Sequence, residues 1–288
     1  MVTQKAYAKI NLSLDITGKR DNGYHDVNMV MQSIDLYDTL SLDTIEEGRL
    51  ILKTDSDTLN AEADEGNDNL IIKAARAILN FCQRNDGISI SLNKRIPIAA
   101  GMAGGSSDAA ATLRGINELL NLNLSDETLC EIGVKIGADV PFCIMGHTMQ
   151  SQGIGEILTP LKTVSGMPVL ICKPPIAVST KEVYTRYDAL KSVIHPDVSK
   201  MVEAIENGDL SKIPSLTGNV LEQVTAPLYP IIRDIEEEML KNGAKTSIMS
   251  GSGPTVFGIF DDECTLRKAY EAIVLLWPSY ETFTVKTL

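Results

Sequence analysis

Apolar and polar residues alternate strictly from Ala6 to Ile16. Ala6, Ala8, Ile10, Leu12, Leu14 and Ile16 share one parity, and Tyr7, Lys9, Asn11, Ser13 and Asp15 share the other. A period of two predicts a half-buried strand. It also sets Lys9 and Asn11 on one face, two residue rises or roughly 6.6 Å apart. Further strands are predicted at 29–34, 36–43 and 48–53, after a polar turn over Lys19–Asp26 that contains Asn22-Gly23. An acidic loop from Asp55 to Asn69 is expected to be exposed. Asn69 then opens a helical pattern with Leu70, Ile71, Ala74, Ile78, Leu79 and Cys82 on one side. Alternation returns at Ile88, Ile90 and Leu92. A helix from about Ser107 carries Ala110, Leu113, Ile116, Asn117 and Leu120 and stops near Asn121; another runs from Asp126 to Gly137, read as a C′ glycine. Asp139 precedes Val140-Pro141-Phe142, read as the start of an apolar strand, and a turn at Gln152–Glu156 leads into a strand ending near Leu161.

Thr163–Met167, with its Ser-Gly-Met sequence, has the composition of a junction, which divides the chain into domains 1–163 and 164–288. Beyond it come a strand at Pro168–Cys172 and a helix opened by the capping box Ser179-Thr180-Lys181-Glu182 and carrying Val183, Tyr184 and Tyr187. Helices near 197–207 and 228–242, a strand–glycine turn–strand over Thr246–Phe260, a helix at 262–275 and a strand at 281–287 complete the chain. This β, α, ββ, α, β order with added helices is compatible with a ferredoxin-like domain, and the whole reads as α+β.

A length of 288 residues suits two domains. The net charge of −12, without a basic run, argues against general nucleic-acid binding. An acidic chain that binds an anionic nucleotide must do so with local lysines, backbone amides and a metal ion. The five cysteines form no C-x-x-C pair and read as buried, reduced thiols of a cytosolic protein. The N-terminus shows no signal-peptide pattern and no apolar run approaches the length of a membrane span, so the expected location is cytoplasmic, with no membrane partner.

Chemistry concentrates in Ile96-Pro97-Ile98-Ala99-Ala100-Gly101-Met102-Ala103-Gly104-Gly105-Ser106-Ser107-Asp108, a glycine-rich loop running into an alanine-rich helix. Glycines allow close backbone approach, and a helix start offers unpaired N–H groups and positive dipole charge, which together make a phosphate cradle. The loop lacks the Gly-Lys-[Ser/Thr] ending of the common nucleotide loop and the G-x-G-x-x-G spacing of a dinucleotide site. Taken alone, it reads equally well as a flexible loop capped by a serine. Lys9 alone reads as a solvated lysine. Asp139 reads either as a turn residue or as a partly desolvated carboxylate suited to guiding a hydroxyl proton. Tyr24 and His25 read as a hairpin, or as a stacking face and a hydrogen-bonding edge; with only three histidines in the chain and no ligand spacing around His25, a metal site there is not expected. Ser250-Gly251-Ser252-Gly253 reads as a hairpin turn or a close approach to phosphate.

In combination and in this order, Ala8-Lys9-Ile10-Asn11-Leu12, the loop Pro97–Ser107 and Ser250-Gly251-Ser252-Gly253 resemble the three motifs of the family of galactokinase, homoserine kinase, mevalonate kinase and phosphomevalonate kinase. Asp21-Asn22-Gly23-Tyr24-His25 and Ala138-Asp139-Val140-Pro141-Phe142 are most similar to the branch that phosphorylates a cytidyl diphosphate sugar alcohol. Departures are Met102-Ala103, where the family more often has Leu-Gly, and Asp108, where Asn is also seen. The resemblance implies an N-terminal α/β domain with a left-handed βαβ unit, a C-terminal ferredoxin-like α/β-plait domain and a site in the cleft between them. It implies ATP as co-substrate, Mg²⁺, small-molecule partners only, and a monomer or weak homodimer. It also implies that Asp139 handles the hydroxyl proton and that Lys9 holds Asp139 ionised. The phosphates would lie on the 97–107 backbone, the adenosine near Asn69, Leu70 and Lys94, the cytidine on Tyr24, His25 and Tyr184, and the diol on Asn11. The Mg²⁺ ligands stay open among Asp139, Ser106, Ser107 and Asp108. Two rival readings are another kinase of the family, such as homoserine or mevalonate kinase, and a catalytically silent nucleotide-binding protein.

Overall fold

The polar parity of the first strand is not solvated. In the computed structural model, which describes residues 1–46, 48–55 and 69–288, the strand extends over Val2–Lys19 (β1), and Lys9, Asn11 and Ser13 are all buried. Both faces of its middle are covered, so alternation marks sidedness here without marking exposure. The two strands expected at 29–34 and 36–43 are one continuous strand, His25–Ile45 (β2). Residues 56–68 of the expected acidic loop lie outside the described residues.

The chain forms two compact units: Met1–Ala8, Leu36–Ile98 and Ala103–Gly146 make the first, and Lys9–Asp35, Ala99–Met102 and His147–Leu288 the second. β1 and β2 contribute to both.

In the first unit, Leu50–Thr54 (β3) pairs in parallel with Gly87–Asn93 (β4), from Leu50 opposite Ile88 to Thr54 opposite Leu92. β4 pairs antiparallel with β2, from Thr39 opposite Asn93 to Ile45 opposite Gly87. Parallel neighbours need a crossover, and its helix is Leu70–Phe81 (α1), capped where Asn69 Oδ1 accepts the Ile71 N–H at 2.9 Å. Three more helices follow: Gly104–Leu119 (α2), Asp126–Gly133 (α3) and Val140–Met145 (α4). Leu40, Leu42, Ile88, Ile90 and Leu92 of the strands meet Ile71, Ala74, Ile78 and Leu79 of α1 and Ala109–Ala111, Leu113 and Ile116 of α2 in one core. Small residues let α2 approach closely: a Cβ on Gly115 would stand 2.6 Å from Leu42.

Three expectations need correction in this unit. α2 begins at Gly104, before Ser107, because the loop turns helical as soon as Ala103 has capped it in the left-handed region. α3 ends at Gly133, and Gly137 lies in the turn beyond, its carbonyl accepting from Val140 N. Asp139 opens a helix and not a strand, since Pro141 falls at its first positions, where a missing N–H costs no hydrogen bond.

In the second unit, Thr148–Gly153 (β5) pairs antiparallel with the first half of β2, and Ile157–Pro160 (β6) pairs with β5. Pro168–Lys173 (β7) is followed by the helices Thr180–Tyr187 (α5), Val198–Asn207 (α6) and Ile213–Leu216 (α7). Gly218–Asn219 (β8) then pairs in parallel with β1 at Ser13 and Leu14. Glu222–Leu228 (α8) is a helix that was not expected; across Tyr229-Pro230 it is followed by Ile231–Lys241 (α9), the helix expected at 228–242, which begins three residues later. Thr246–Met249 (β9), Val256–Ile259 (β10), Glu263–Leu276 (α10) and Glu281–Lys286 (β11) complete the unit. β7, β9, β10 and β11 form an antiparallel sheet in the order β11-β7-β10-β9, which is the ferredoxin-like order. The five cysteines are free thiols, but of the burial expected for them only Cys172 shows it: Cys82, Cys130 and Cys143 are half-buried and Cys264 is exposed at the start of α10. Burial pushes the Cys172 thiol up to about 12. Among the described residues, no helix is long and apolar enough to cross a membrane.

Candidate active site

The glycine loop adopts the left-handed region at every second residue: Ala99 at φ 53°, Gly101 at 71° and Ala103 at 57°. For an alanine this conformation costs about 1–2 kcal/mol, and such strain persists where a site requires it. Alternating backbone hand is what gathers successive N–H groups into an anion-binding nest. Ala103 caps α2 with no side-chain hydrogen bond, so the first amides of a sixteen-residue helix, at Gly104, Gly105 and Ser106, are left without a cap side chain. Pro97, Ala100 and Met102 are buried and anchor the loop, while Ile98 and Ala99 are exposed.

The first unit holds the exit of this loop on a buried ion cluster. Asp38 is fully buried. Its Oδ1 accepts from Arg95 N at 2.5 Å and Ile96 N at 2.8 Å, and its Oδ2 accepts from Lys94 Nζ at 2.5 Å. Lys94 Nζ also donates to Asp108 Oδ2 at 2.8 Å, and a Cβ on Gly104 would stand 3.1 Å from this ammonium. Burial works against the charge of Lys94, yet Asp108 and Asp38 together hold its pKa above the ordinary lysine value. Asp108 is pushed up to about 7 by burial, aided by the charge of Asp38 and opposed by Lys94. Its Oδ1 has no partner. Lys94, the residue after β4, thus ties β2 to α2.

Around this cluster the first unit gathers several of the sequence-derived residues. Leu70, next to the Asn69 cap, stands 3.4 Å from where a Cβ of Gly105 would be. Ser107 donates its hydroxyl to Tyr7 O at 2.6 Å. Ser106 Oγ lies 3.7 Å from a Cβ built on Gly137, two residues before Asp139. Asp139 is half-buried and its carboxylate makes no cap bond to α4.

Lys9 belongs to the second unit. Its Nζ donates to Asn11 Oδ1 at 2.6 Å and its N–H to Met102 O at 3.2 Å. Ser250 Oγ donates to Gly101 O at 3.2 Å and accepts from Asn11 N at 3.4 Å. Lys9, Asn11, the middle of the glycine loop and the Ser250 turn therefore come together. Tyr24 is exposed. His25 is buried, with Nε2 2.7 Å from Asp188 Oδ1 and its ring 5.0 Å from that of Tyr184. Hydrogen bonds from Lys19 and His25 hold the Asp188 carboxyl below the usual carboxylate range. Asp38, Asp188 and Asn219 were missed by the sequence reading; for Asp38 the available signal was a carboxylate on the apolar parity of Leu36, Leu40 and Leu42.

Two family models match: the GHMP kinases N-terminal domain over residues 69–147 and the GHMP kinases C-terminal model over 201–278. The chain belongs to the GHMP kinases. It is 48% identical over 270 residues to the 4-diphosphocytidyl-2-C-methyl-D-erythritol kinase of Lachnoclostridium phytofermentans, covering 94% of this chain and 91% of the relative. It is 49% identical to that of Thermoanaerobacter pseudethanolicus, covering 93% and 90%. A crystal structure of 4-(cytidine 5'-diphospho)-2C-methyl-D-erythritol kinase superposes with a TM-score of 0.81 at 28% identity, covering 99% of both chains. The homoserine kinase of Cytophaga hutchinsonii has a TM-score of 0.76 at 19% identity, covering 99% of this chain and 94% of its own, a likeness of fold.

Proposed function

We propose that this chain transfers the γ-phosphoryl group of ATP to the 2-hydroxyl of 4-diphosphocytidyl-2-C-methyl-D-erythritol, giving the 2-phosphate and ADP. This is a step of the non-mevalonate route to isoprenoid precursors, carried out in the cytoplasm. The observation that carries the reading is the 43–49% identity, over at least 92% of this chain, to relatives of that name. The proposed division into domains 1–163 and 164–288 falls between the two matched segments.

Phosphoryl transfer asks a protein for positioning, charge neutralisation and a group that handles the hydroxyl proton. The backbone amides of 97–107 hold the ATP phosphates, and Asn69, Leu70 and Lys94 border the adenosine. Lys94 acts there through the loop it supports, since two carboxylates already engage its ammonium. Asp139 accepts the proton of the 2-hydroxyl or orients that hydroxyl, and Lys9 stabilises the developing alkoxide. Asn11 contacts the diol; Tyr24, His25 and Tyr184 receive the cytosine. Among the described residues no cluster of three or more His, Cys, Asp or Glu can hold a metal ion by itself, which suits Mg²⁺ held largely by phosphate oxygens. Ser107 is committed to Tyr7, and Asp108 gives one oxygen to Lys94 and keeps the other buried, so the fitting protein donors are the hard oxygens of Ser106 and Asp139. Mg²⁺ would neutralise charge on the transferred group.

Incubation with MgATP and a panel of alcohols tests the reading, with phosphorylation expected only of the cytidyl diphosphate sugar alcohol. Phosphorylation of homoserine or mevalonate in its place refutes it. Asp139→Ala is expected to retain ATP binding and lose turnover by about a hundredfold or more. Near-normal turnover in that variant removes Asp139 from the mechanism.

A further inference from the structure

Asn219 is 7% exposed and employs its whole side-chain amide. Nδ2 donates to the carbonyls of Met249 and Gly251, each at 2.8 Å, and Oδ1 accepts from Leu221 N at 3.0 Å. Two more groups of the same segment reach the same turn. Glu222 Oε2 accepts from Met249 N at 3.0 Å, and Thr225 Oγ1 donates to Ser252 O at 3.3 Å. The turn closes on itself through Ser250 N to Thr255 O at 2.8 Å and Gly253 N to Ser250 O at 3.0 Å.

A glycine turn needs such a clamp. Gly251 and Gly253 both lie in the left-handed region, at φ 59° and 87°, and glycine enters and leaves that region at little cost. Beyond those two backbone hydrogen bonds, the glycines bring no side chain of their own to fix the arrangement. A buried amide whose two hydrogens reach carbonyls two residues apart does select one, because a shift of the turn leaves buried donors and acceptors unpaired.

The far side of the turn meets the reacting groups. Ser250 touches Gly101 and the backbone of Asn11, and Asn11 accepts from the Lys9 ammonium. The approach is close: a Cβ on Gly101 would stand 2.4 Å from Ser250 O.

We propose that Asn219 is a positioning residue for phosphoryl transfer. It sets the Ser250–Gly253 turn and, through Ser250, the alignment of Gly101 with Lys9 and Asn11. The proposal rests on the kinase reading above.

The test compares Asn219→Ala, Ser250→Ala and the double variant with the wild type in MgATP turnover of the cytidyl substrate, normalised to folded protein, together with amide hydrogen exchange over 249–253. The expected result for Asn219→Ala is a kcat lowered roughly ten- to a hundredfold, the scale for misplaced reacting groups. KM for the cytidyl substrate should change by less than about threefold, and exchange at the turn should be at least about tenfold faster. The double variant should lose no more than the worse single one, because both act through one contact. A kcat per folded molecule within about threefold of wild type, or losses that multiply in the double variant, overturns the proposal. If Asn219→Ala fails to fold, Asn219→Ser, which keeps one donor, is read by the same criteria. An inactive wild type refutes the kinase reading instead; turn exchange in Asn219→Ala then decides the clamp by itself, and unchanged exchange overturns it.

Discussion

Two aspartates share the Lys94 ammonium, and their amide variants should behave in opposite ways. Asp38 spends both oxygens: Oδ1 on Arg95 N and Ile96 N, and Oδ2 on Lys94. In Asp38→Asn the new NH₂ must face either two buried amide donors or an ammonium. A hydrogen bond to a charged group is worth about 1.5–3 kcal/mol, and the stranded donors add their own desolvation penalty, so the loss should reach about 3–5 kcal/mol. Asp108 spends only Oδ2 on Lys94, and its buried Oδ1 has no partner. In Asp108→Asn the NH₂ takes the unpartnered side, the carbonyl keeps Lys94, and a like charge beside Asp38 disappears. The change should lie within about 1 kcal/mol of zero at pH 8. The pH dependence separates them further. Asp108 titrates at about 7 in the folded chain against 3.8 for the ordinary group, so the folded state holds the proton longer. This contribution is present at low pH and is lost as pH rises from about 4 through 7. Urea unfolding of the three proteins from pH 5 to 8 reads both effects, and Asp108→Asn should flatten the slope. An Asp108→Asn loss equal to or larger than that of Asp38→Asn would refute the reasoning, because it would mean that the unpartnered oxygen carries an interaction.

Gly101→Ala places a Cβ 2.4 Å from Ser250 O on a backbone at φ +71°, so it should lower the urea stability by about 2 kcal/mol or more and weaken ATP binding by calorimetry; unchanged binding counts against a role for the Gly101–Ser250 contact. Glu236 is pushed up to about 8 by burial, with the neighbouring Glu222 adding to the shift. Its folded value exceeds the unfolded one, so it contributes stability at low pH that is lost as pH rises from about 4.5 to 8. Urea midpoints of Glu236→Gln across that range should vary less than those of wild type.

Most elements were legible because short-range pattern determines them. The face of α1 and the Ser179–Glu182 box each place a helix within a residue or two of its observed position, and the alternation of Ala6–Ile16 finds the middle of β1, which runs on to Val2 and Lys19. Burial was less legible. The period of β1 separates Lys9, Asn11 and Ser13 from the apolar parity, but whether that side meets water depends on Met29, Met102 and Ser250, far away in sequence. Asp139 was misread for a related reason: Val140-Pro141-Phe142 is too short an apolar run for periodicity to distinguish strand from helix.

The site divides along the same line. Backbone requirements are written directly as residue type, so Gly101, Gly251 and Gly253, all at positive φ, announce two turns that come close to something. What keeps those turns in place is side-chain chemistry without a spacing rule. Asp38 reaches Lys94 across 56 positions, and Asn219 reaches Gly251 across 32. Neither is anomalous in composition, because Asp and Asn are ordinary residues of turns and caps. Position is what distinguishes them. Asp38 interrupts the parity of Leu36, Leu40 and Leu42, where burying an unpaired carboxylate would cost several kcal/mol. A carboxylate on the buried parity of a strand implies a cation it must meet, and in this chain that cation is Lys94, two residues before Ile96 at the start of the glycine loop. Asn219 offers no comparable interruption, since its two-residue strand is too short to have a parity, and only the fold reveals what its amide holds.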